Sequence, residues 1–387
     1  MKKVIFVDEV EIKNKTILLR VDFNVSLNPD HSIANDERIR QAMPTINYLL
    51  KNNNHLIIVS HLGRPKGVDK SLSLKIVVDK LKEYLPQTKI NFAQNLDEVK
   101  EKTSQIIVLE NIRFFPEEKN YSTLFAQKLS SLAQIFVNDA FAVCHRTDTS
   151  IIGPPKFLPS FGGLLLKKEI VMLDKILKNP QSPFVSIVGG AKITTKIGLL
   201  EKLSKISDYL IIGGAMANAF LCAQGYEIGN SFCEYESTQL AHKFLAKSLK
   251  DKPYILLPKD VVVAKSKDDK EKLTVKIEKI PKNYSIFDLG PETLAEIGAI
   301  IAKAKTIIWN GPVGYFENPN FKDGTDFIYY SITQNQQAIS VVGGGDTLAA
   351  ISKKEYLEKI THISTGGGAM LEYIEKGTLP GIEALKQ

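Results

Sequence analysis

The sequence predicts an α/β protein of two lobes, each a mostly parallel sheet with helices on both faces. Three observations carry that reading. At 387 residues the chain is too long for one ordinary hydrophobic core, so two domains are expected. Continuous apolar runs alternate with helix-like stretches, the pattern of a parallel sheet buried on both sides. The segments that end those runs also change character along the chain, from charged and polar to glycine-rich.

In the first part, the strand-like runs Thr16–Val21, His55–Val59, Gln105–Leu109 and Ile135–Val137 each lead into a polar cluster. Those clusters are Asp22-Phe23-Asn24, His61-Leu62-Gly63-Arg64, Glu110-Asn111-Ile112-Arg113 and Asn138-Asp139-Ala140. The stretches Ile39–Lys51, Leu74–Tyr84 and Ser122–Leu132 carry helical spacing between them. Ligands of such sheets sit beyond the carboxyl ends of the strands, where Arg64 and Arg113 fall; Arg146 follows shortly after. Arg38 opens the first helical stretch. The chain has only six arginines, all between Arg20 and Arg146. Arginine offers carboxylate or phosphate a rigid fork that lysine lacks, so the first lobe is expected to bind an anion. His61 lies on the same rim as a candidate substrate contact, whereas His145 reads as a structural hydrogen-bonder.

The stretch Gly162–Leu177 has helical apolar spacing between a loop rich in proline and glycine and the segment Asn179-Pro180-Gln181-Ser182-Pro183. It reads as a helix joining the lobes. Beyond it, Phe184–Val188, Tyr209–Ile212, Thr306–Trp309, Ser340–Val342 and His362–Ser364 all end in glycine-rich turns. The central one is Gly343-Gly344-Gly345-Asp346-Thr347, where glycine lets bare amides approach a ligand and a helix start favours phosphate. Asp346 is a hard oxygen ligand suited to Mg²⁺, and the Thr347 hydroxyl can donate to a phosphate oxygen. Lys192 and Lys196, four apart after Gly189-Gly190, are expected on one face at a helix start. Lys192 is the stronger phosphate candidate; solvated helix lysine remains an alternative for Lys196. Glu317 is a candidate acceptor for ribose hydroxyls and equally reads as a solvated loop acid. The mixed-sign run Lys265–Lys282 reads as exposed strand and loop.

A net charge of +7 spread along the chain, without clustered basic and aromatic residues, argues against a nucleic-acid surface. Three cysteines without metal spacing point to a reducing compartment, and no segment is long and apolar enough to span a bilayer. A cytoplasmic protein is expected. There is no Walker motif and no dinucleotide fingerprint after the first strand, which counts against a P-loop NTPase and a nicotinamide dehydrogenase. A two-lobed binding protein that clamps an anion without chemistry is the rival from another class.

The motifs resemble those of the phosphoglycerate kinase family along essentially the full length. The first part carries Arg20–Val25, Ser60–Pro65, Leu109–Phe114 and Asn138–Phe141. The second carries Gly189–Lys192, Leu289–Thr293, Trp309–Gly314, Gly343–Thr347, Ser364–Ala369 and Leu379–Gly381. The resemblance implies two Rossmann-like lobes closing by hinge bending: residues 1–162, a joining helix 163–178 and residues 179–370. A tail, 371–387, returns to the first lobe. It implies reversible transfer from 1,3-bisphosphoglycerate to ADP, giving 3-phosphoglycerate and ATP, with Mg²⁺, by a protein expected to be monomeric. Asp22, Asn24, Arg38, His61, Arg64, Arg113 and Arg146 would hold the phosphoglycerate. Lys192, Lys196, Glu317, Gly343, Gly344, Gly345, Asp346 and Thr347 would hold the nucleotide, with Asp346 as metal ligand and Arg38 and Lys192 at the transferring group. The chain departs from the family in Ala142, where glycine is usual, in Ser26, where proline is usual, and in the stretch Thr147-Asp148-Thr149-Ser150.

Overall fold

Two sheets of parallel strands organise the chain, and each begins with a strand that ends up at its centre. The structure, a computed structural model, describes residues 2–248, 253–351 and 354–387. In the first unit the strands are β1 (Thr16–Arg20), β2 (Ser26–Leu27), β3 (Ile33–Asn35), β4 (His55–Val59), β5 (Ile90–Ala93), β6 (Ile106–Leu109), β7 (Ile135–Asn138) and β8 (Ser160–Gly162). β2 and β3 form a separate antiparallel pair; the others form one sheet in the order β5-β6-β4-β1-β7-β8. β1, β4 and β6 are buried along nearly their whole length, as continuous apolar runs covered on both faces must be. The helix Glu37–Lys51 packs Ile39, Ile46 and Leu49 against this sheet in one core with Leu19, Ile58 and Val108.

The second unit contains β9 (Phe184–Val188), β10 (Tyr209–Ile212), β11 (Tyr254–Leu256), β12 (Asp260–Ala264), β13 (Leu273–Lys276), β14 (Ser285–Leu289), β15 (Thr306–Asn310), β16 (Ile339–Gly343) and β17 (His362–Ser364). Its main sheet runs β11-β10-β9-β15-β16-β17, and β13-β12-β14 form a second, antiparallel sheet. Trp309, fully buried on β15, packs with Ile187, Ile307 and Val342.

The chain divides into two compact units, one running up to Val171 and resumed at Lys376–Gln387, the other Met172–Glu375. The division falls inside the helix Leu164–Lys178. The last residues pair with the first: Lys3 and Gln387 exchange backbone hydrogen bonds, and the Gly381 amide donates to the Cys144 carbonyl at 2.8 Å.

Six strands per main sheet exceed the four and five expected from sequence. The extra ones, β5, β8 and β11, all lie at or next to a sheet edge. Each is only three or four residues long, so none presents the long apolar run that marks a central strand. Two departures are explained locally. Ala142 sits in the 3₁₀ turn Phe141–Val143 without a left-handed backbone, so no glycine is required. Ser26 opens the short, exposed β2.

Candidate active site

In both main sheets the first strand runs to one side and the later strands return on the other, which leaves a crevice beyond the strand ends at the point of reversal. In the first unit that point lies between β1 and β7, with Arg20, the last residue of β1, registered against Asn138. Arg20 is almost fully buried, 1% exposed. It donates from Nε to Ser150 Oγ (2.9 Å) and from Nη1 to the Val21 carbonyl (2.5 Å), and its Nη2 lies 3.5 Å from His61 Nδ1. A buried guanidinium requires a counter-charge. Ser150 links it to the buried Glu118, which accepts from Ser150 Oγ (2.6 Å) and Ser150 N (2.8 Å); burial raises that carboxyl, and the Arg20 charge pulls it back down.

Above this base the predicted residues converge. Arg38 hydrogen-bonds and ion-pairs with Asp22 through Nη1. Asp22 Oδ1 accepts from the Asn24 amide (3.0 Å) and lies 3.8 Å from His61 Nδ1. Asn24 Oδ1 accepts from the Gly63 amide at 2.7 Å, while Arg113 Nη1 donates to the Gly63 carbonyl at 2.5 Å. Gly63 serves both because its φ of +65° suits glycine. Burial, reinforced by the guanidinia of Arg20, Arg113, Arg38 and Arg146, holds the His61 imidazole well below its ordinary range, so it is neutral. Burial and the neighbouring Arg146 and Arg20 push Arg113 down to about 10, against the pull of Asp148 and Glu118. Arg146 Nε is buried without a hydrogen-bond partner among the described residues. Cations that repel one another, with an unanswered donor among them, make a cradle of the chemistry that suits an anion of more than one charge. Arg64 follows Gly63 and is exposed. The unusual stretch after Arg146 is structural: Thr149 and Ser150 are buried, and Thr149 Oγ1 bonds the Glu117 carbonyl at 2.5 Å.

In the second unit the reversal lies between β9 and β15, and Lys196 spans it. Its ammonium donates to the Gly189 carbonyl (2.6 Å), after β9, and to Asn310 Oδ1 (2.9 Å), the last residue of β15. Burial pushes this lysine down to about 8, with Asp346 pulling the other way. Lys192 instead is half-exposed, 3.4 Å from Glu234 Oε1. Here the expectation from sequence is corrected. The two lysines do not share one face at a helix start, because both precede the helix Ile197–Ile206, and Lys196 rather than Lys192 is drawn inward.

The three glycines after β16 do different things. Gly343 ends the strand, and a side chain there would meet Met370. Gly344 has φ +109°, and a Cβ would come 2.8 Å from both Asn310 Nδ2 and Thr347 Oγ1. Gly345 has open space around it. The Thr347 expectation is also corrected: its fully buried hydroxyl donates to the Gly343 carbonyl (2.9 Å) and accepts from the Gly311 amide (2.7 Å). Its single proton is committed to bracing the turn. Asn310, which sequence reasoning left unassigned, donates from Nδ2 to the Gly343 carbonyl at 2.8 Å. Its place at the abrupt polar end of an apolar strand was the available signal.

Beside this turn lies a cavity of about 590 Å³ whose lining includes Gly190, Gly214, Leu221, Val313, Glu317 and Asp346. A pocket lined by backbone, apolar side chains and the carboxylates of Asp288, Glu317 and Asp346 has the size and chemistry of a small-molecule site. Among the described residues no helix is long and apolar enough to cross a membrane, and no group of three or more His, Cys, Asp or Glu could hold a metal.

A basic anion cradle and a glycine-walled pocket on doubly wound sheets define an α/β phosphotransferase. The family model described as phosphoglycerate kinase matches residues 7–377. The chain is 44% identical over 392 residues to the phosphoglycerate kinase of Dictyoglomus turgidum, covering all of this chain and 99% of that one. It is 41% identical to the cytosolic phosphoglycerate kinase of Nicotiana tabacum, covering 97% and 96%. The solved phosphoglycerate kinase from Coxiella burnetii superposes with a TM-score of 0.89 at 39% identity, covering 99% and 98%. The chain belongs to the phosphoglycerate kinase family. It is a kinase that uses a carboxyl group as acceptor.

Proposed function

We propose that the arginine cradle of the first unit holds 3-phosphoglycerate or 1,3-bisphosphoglycerate, and that the pocket of the second holds ADP or ATP, for reversible transfer between them. The observation that carries this reading is the convergence of Asp22, Asn24, Arg38, His61, Arg113 and Arg146 on one strand-end crevice, with Arg146 Nε unanswered. Arg64, exposed beside them, completes the set as an outer contact.

Phosphoryl transfer needs positioning and charge neutralisation more than a covalent helper. Asp22 orients Arg38, which meets the transferring group. Neutral His61 contributes hydrogen bonding without adding charge. In the nucleotide site Lys196 and the turn Gly343–Gly345 face the phosphates, Glu317 accepts from the ribose, and Thr347 keeps the turn in shape. Lys192 is released from Glu234 to reach the transferring group. The acceptor oxygen is anionic in either direction, so no general base is needed.

Mg²⁺ fits this site. Asp346 is an exposed carboxylate on the pocket margin, and Mg²⁺ characteristically binds through one or two carboxylates and substrate phosphates while keeping several waters. When bound, the ion neutralises charge on the nucleotide oxygens. The transfer also requires the units to close once both substrates are bound; X-ray scattering checks this as a smaller radius of gyration in the presence of both. The reading extends to a monomeric, cytoplasmic enzyme, the location supported by the cytosolic tobacco relative.

The test is a coupled assay of ATP formation from 1,3-bisphosphoglycerate and ADP, with and without Mg²⁺. Activity abolished by chelation and restored by Mg²⁺ supports the reading; binding of both ligands without turnover overturns it in favour of a clamp without chemistry.

A further inference from the structure

The buried chain beneath the arginine cradle has a specific consequence for His61, one that rests on reading the cradle as the phosphoglycerate site. Two groups compete for His61 Nδ1. Arg20 Nη2 lies 3.5 Å away, and Asp22 Oδ1 lies 3.8 Å away. Arginine has no acceptor, so Nδ1 can engage Arg20 only as a bare lone pair. Asp22 would demand the opposite, a proton on Nδ1. Asp22 Oδ1 is the more distant and already accepts from the Asn24 amide at 3.0 Å, while Oδ2 is held by Arg38, so the placement of Arg20 decides.

Arg20 does not hold that place alone. Its Nε donates to Ser150 Oγ at 2.9 Å, and the Ser150 hydroxyl proton goes to Glu118 Oε1 at 2.6 Å. The Ser150 amide fixes the other carboxylate oxygen at 2.8 Å, and Glu118 is fully buried. Among the described residues, neither Glu118 nor Ser150 has a hydrogen bond to the residues of the cradle other than through Arg20.

We propose that Glu118 and Ser150 are positioning residues for the phosphoglycerate site, acting through Arg20 to fix His61 as the tautomer with its proton on Nε2. That tautomer leaves a neutral hydrogen-bond donor on the ring nitrogen away from Arg20. The alternative would present a lone pair there, which an anionic oxygen repels.

The experiment uses the full-length protein labelled with ¹⁵N-histidine, with the His61 ring signals assigned by their loss in His61→Gln. Two-bond ¹H–¹⁵N correlation reads the tautomer, and steady-state kinetics are measured on the same samples. Wild type is expected as the Nε2–H form. In Ser150→Ala, and independently in Glu118→Gln should the first not fold, the Nδ1–H form is expected to gain population. KM for 3-phosphoglycerate rises about tenfold, the scale of one lost hydrogen bond to a charged group, while KM for ATP stays within about twofold. Wild-type His61 found as Nδ1–H, or an unchanged tautomer in a folded variant, overturns the proposal. The ring signals need no substrate, so they decide it even if the protein fails to turn over 3-phosphoglycerate, a failure that would count against the site reading alone.

Discussion

The two candidate sites are built from opposite materials. That of the first unit is made of side chains: guanidinia at fixed distances, backed by the buried carboxylates Asp22 and Glu118. That of the second relies more on backbone: glycine turns such as those at Gly190 and Gly214 line a cavity, and the partly buried Lys196 ammonium donates to the Gly189 carbonyl. A small, highly charged acid offers little surface, so recognition must come from charge; a nucleotide offers a broad base and sugar, so recognition can come from shape. The first site is therefore expected to break when a charge is removed, the second when a turn is filled.

The sharpest break is Arg38→Ala, expected to lower kcat about a hundredfold or more, the scale for losing one preorganised charge donor. A loss below about threefold would remove Arg38 from the transfer step. Next, Gly344→Ala forces an L residue to φ +109° against Asn310 and Thr347. It should cost about 2 kcal/mol in thermal unfolding and raise KM for ATP, whereas Gly345→Ala, in open space, should do neither. Equal effects from the two substitutions would mean that conformation is not what the turn needs. A smaller effect is expected for Thr347→Val, which leaves the Gly311 amide and Gly343 carbonyl without their shared partner. About 1–2 kcal/mol of stability should be lost, with a lesser change in kcat than Asp346→Ala produces. The smallest effect concerns protons. Unliganded Lys196, at about 8, is increasingly neutral as pH rises above that value, and phosphate stabilises its charged form. Binding of ATP above pH 8 should thus take up a fraction of a proton, seen by calorimetry in buffers of different ionisation enthalpy, and Lys196→Met should abolish that component.

The same contrast governs how much was legible in the sequence. The arginine cradle was readable because charged residues directly after apolar strands can only lie at the strand ends, so Asp22, His61 and Arg113 were placed by chain position alone. Their support was not readable: Glu118 meets Ser150 across 32 positions of chain, through a contact that no local pattern encodes. In the second unit the glycine turns announced themselves, but their division of labour did not. Whether Gly343 serves packing or ligand depends on Met370, and whether Lys196 or Lys192 turns inward depends on the Gly189 carbonyl and Asn310. Helical spacing misjudged those two lysines because the helix begins one residue after the second of them. The short edge strands escaped for a related reason, having too few residues to show a period.

The backbone pairing of Lys3 with Gln387 and of Gly381 with Cys144 bears on how the molecule is made. The second unit is continuous in sequence, whereas the first needs Lys376–Gln387 to be whole. During synthesis from the N-terminus, the half that emerges earliest is consequently the half finished last. Its last segment is made only after every residue of the second unit, long after the Lys3 backbone with which it pairs.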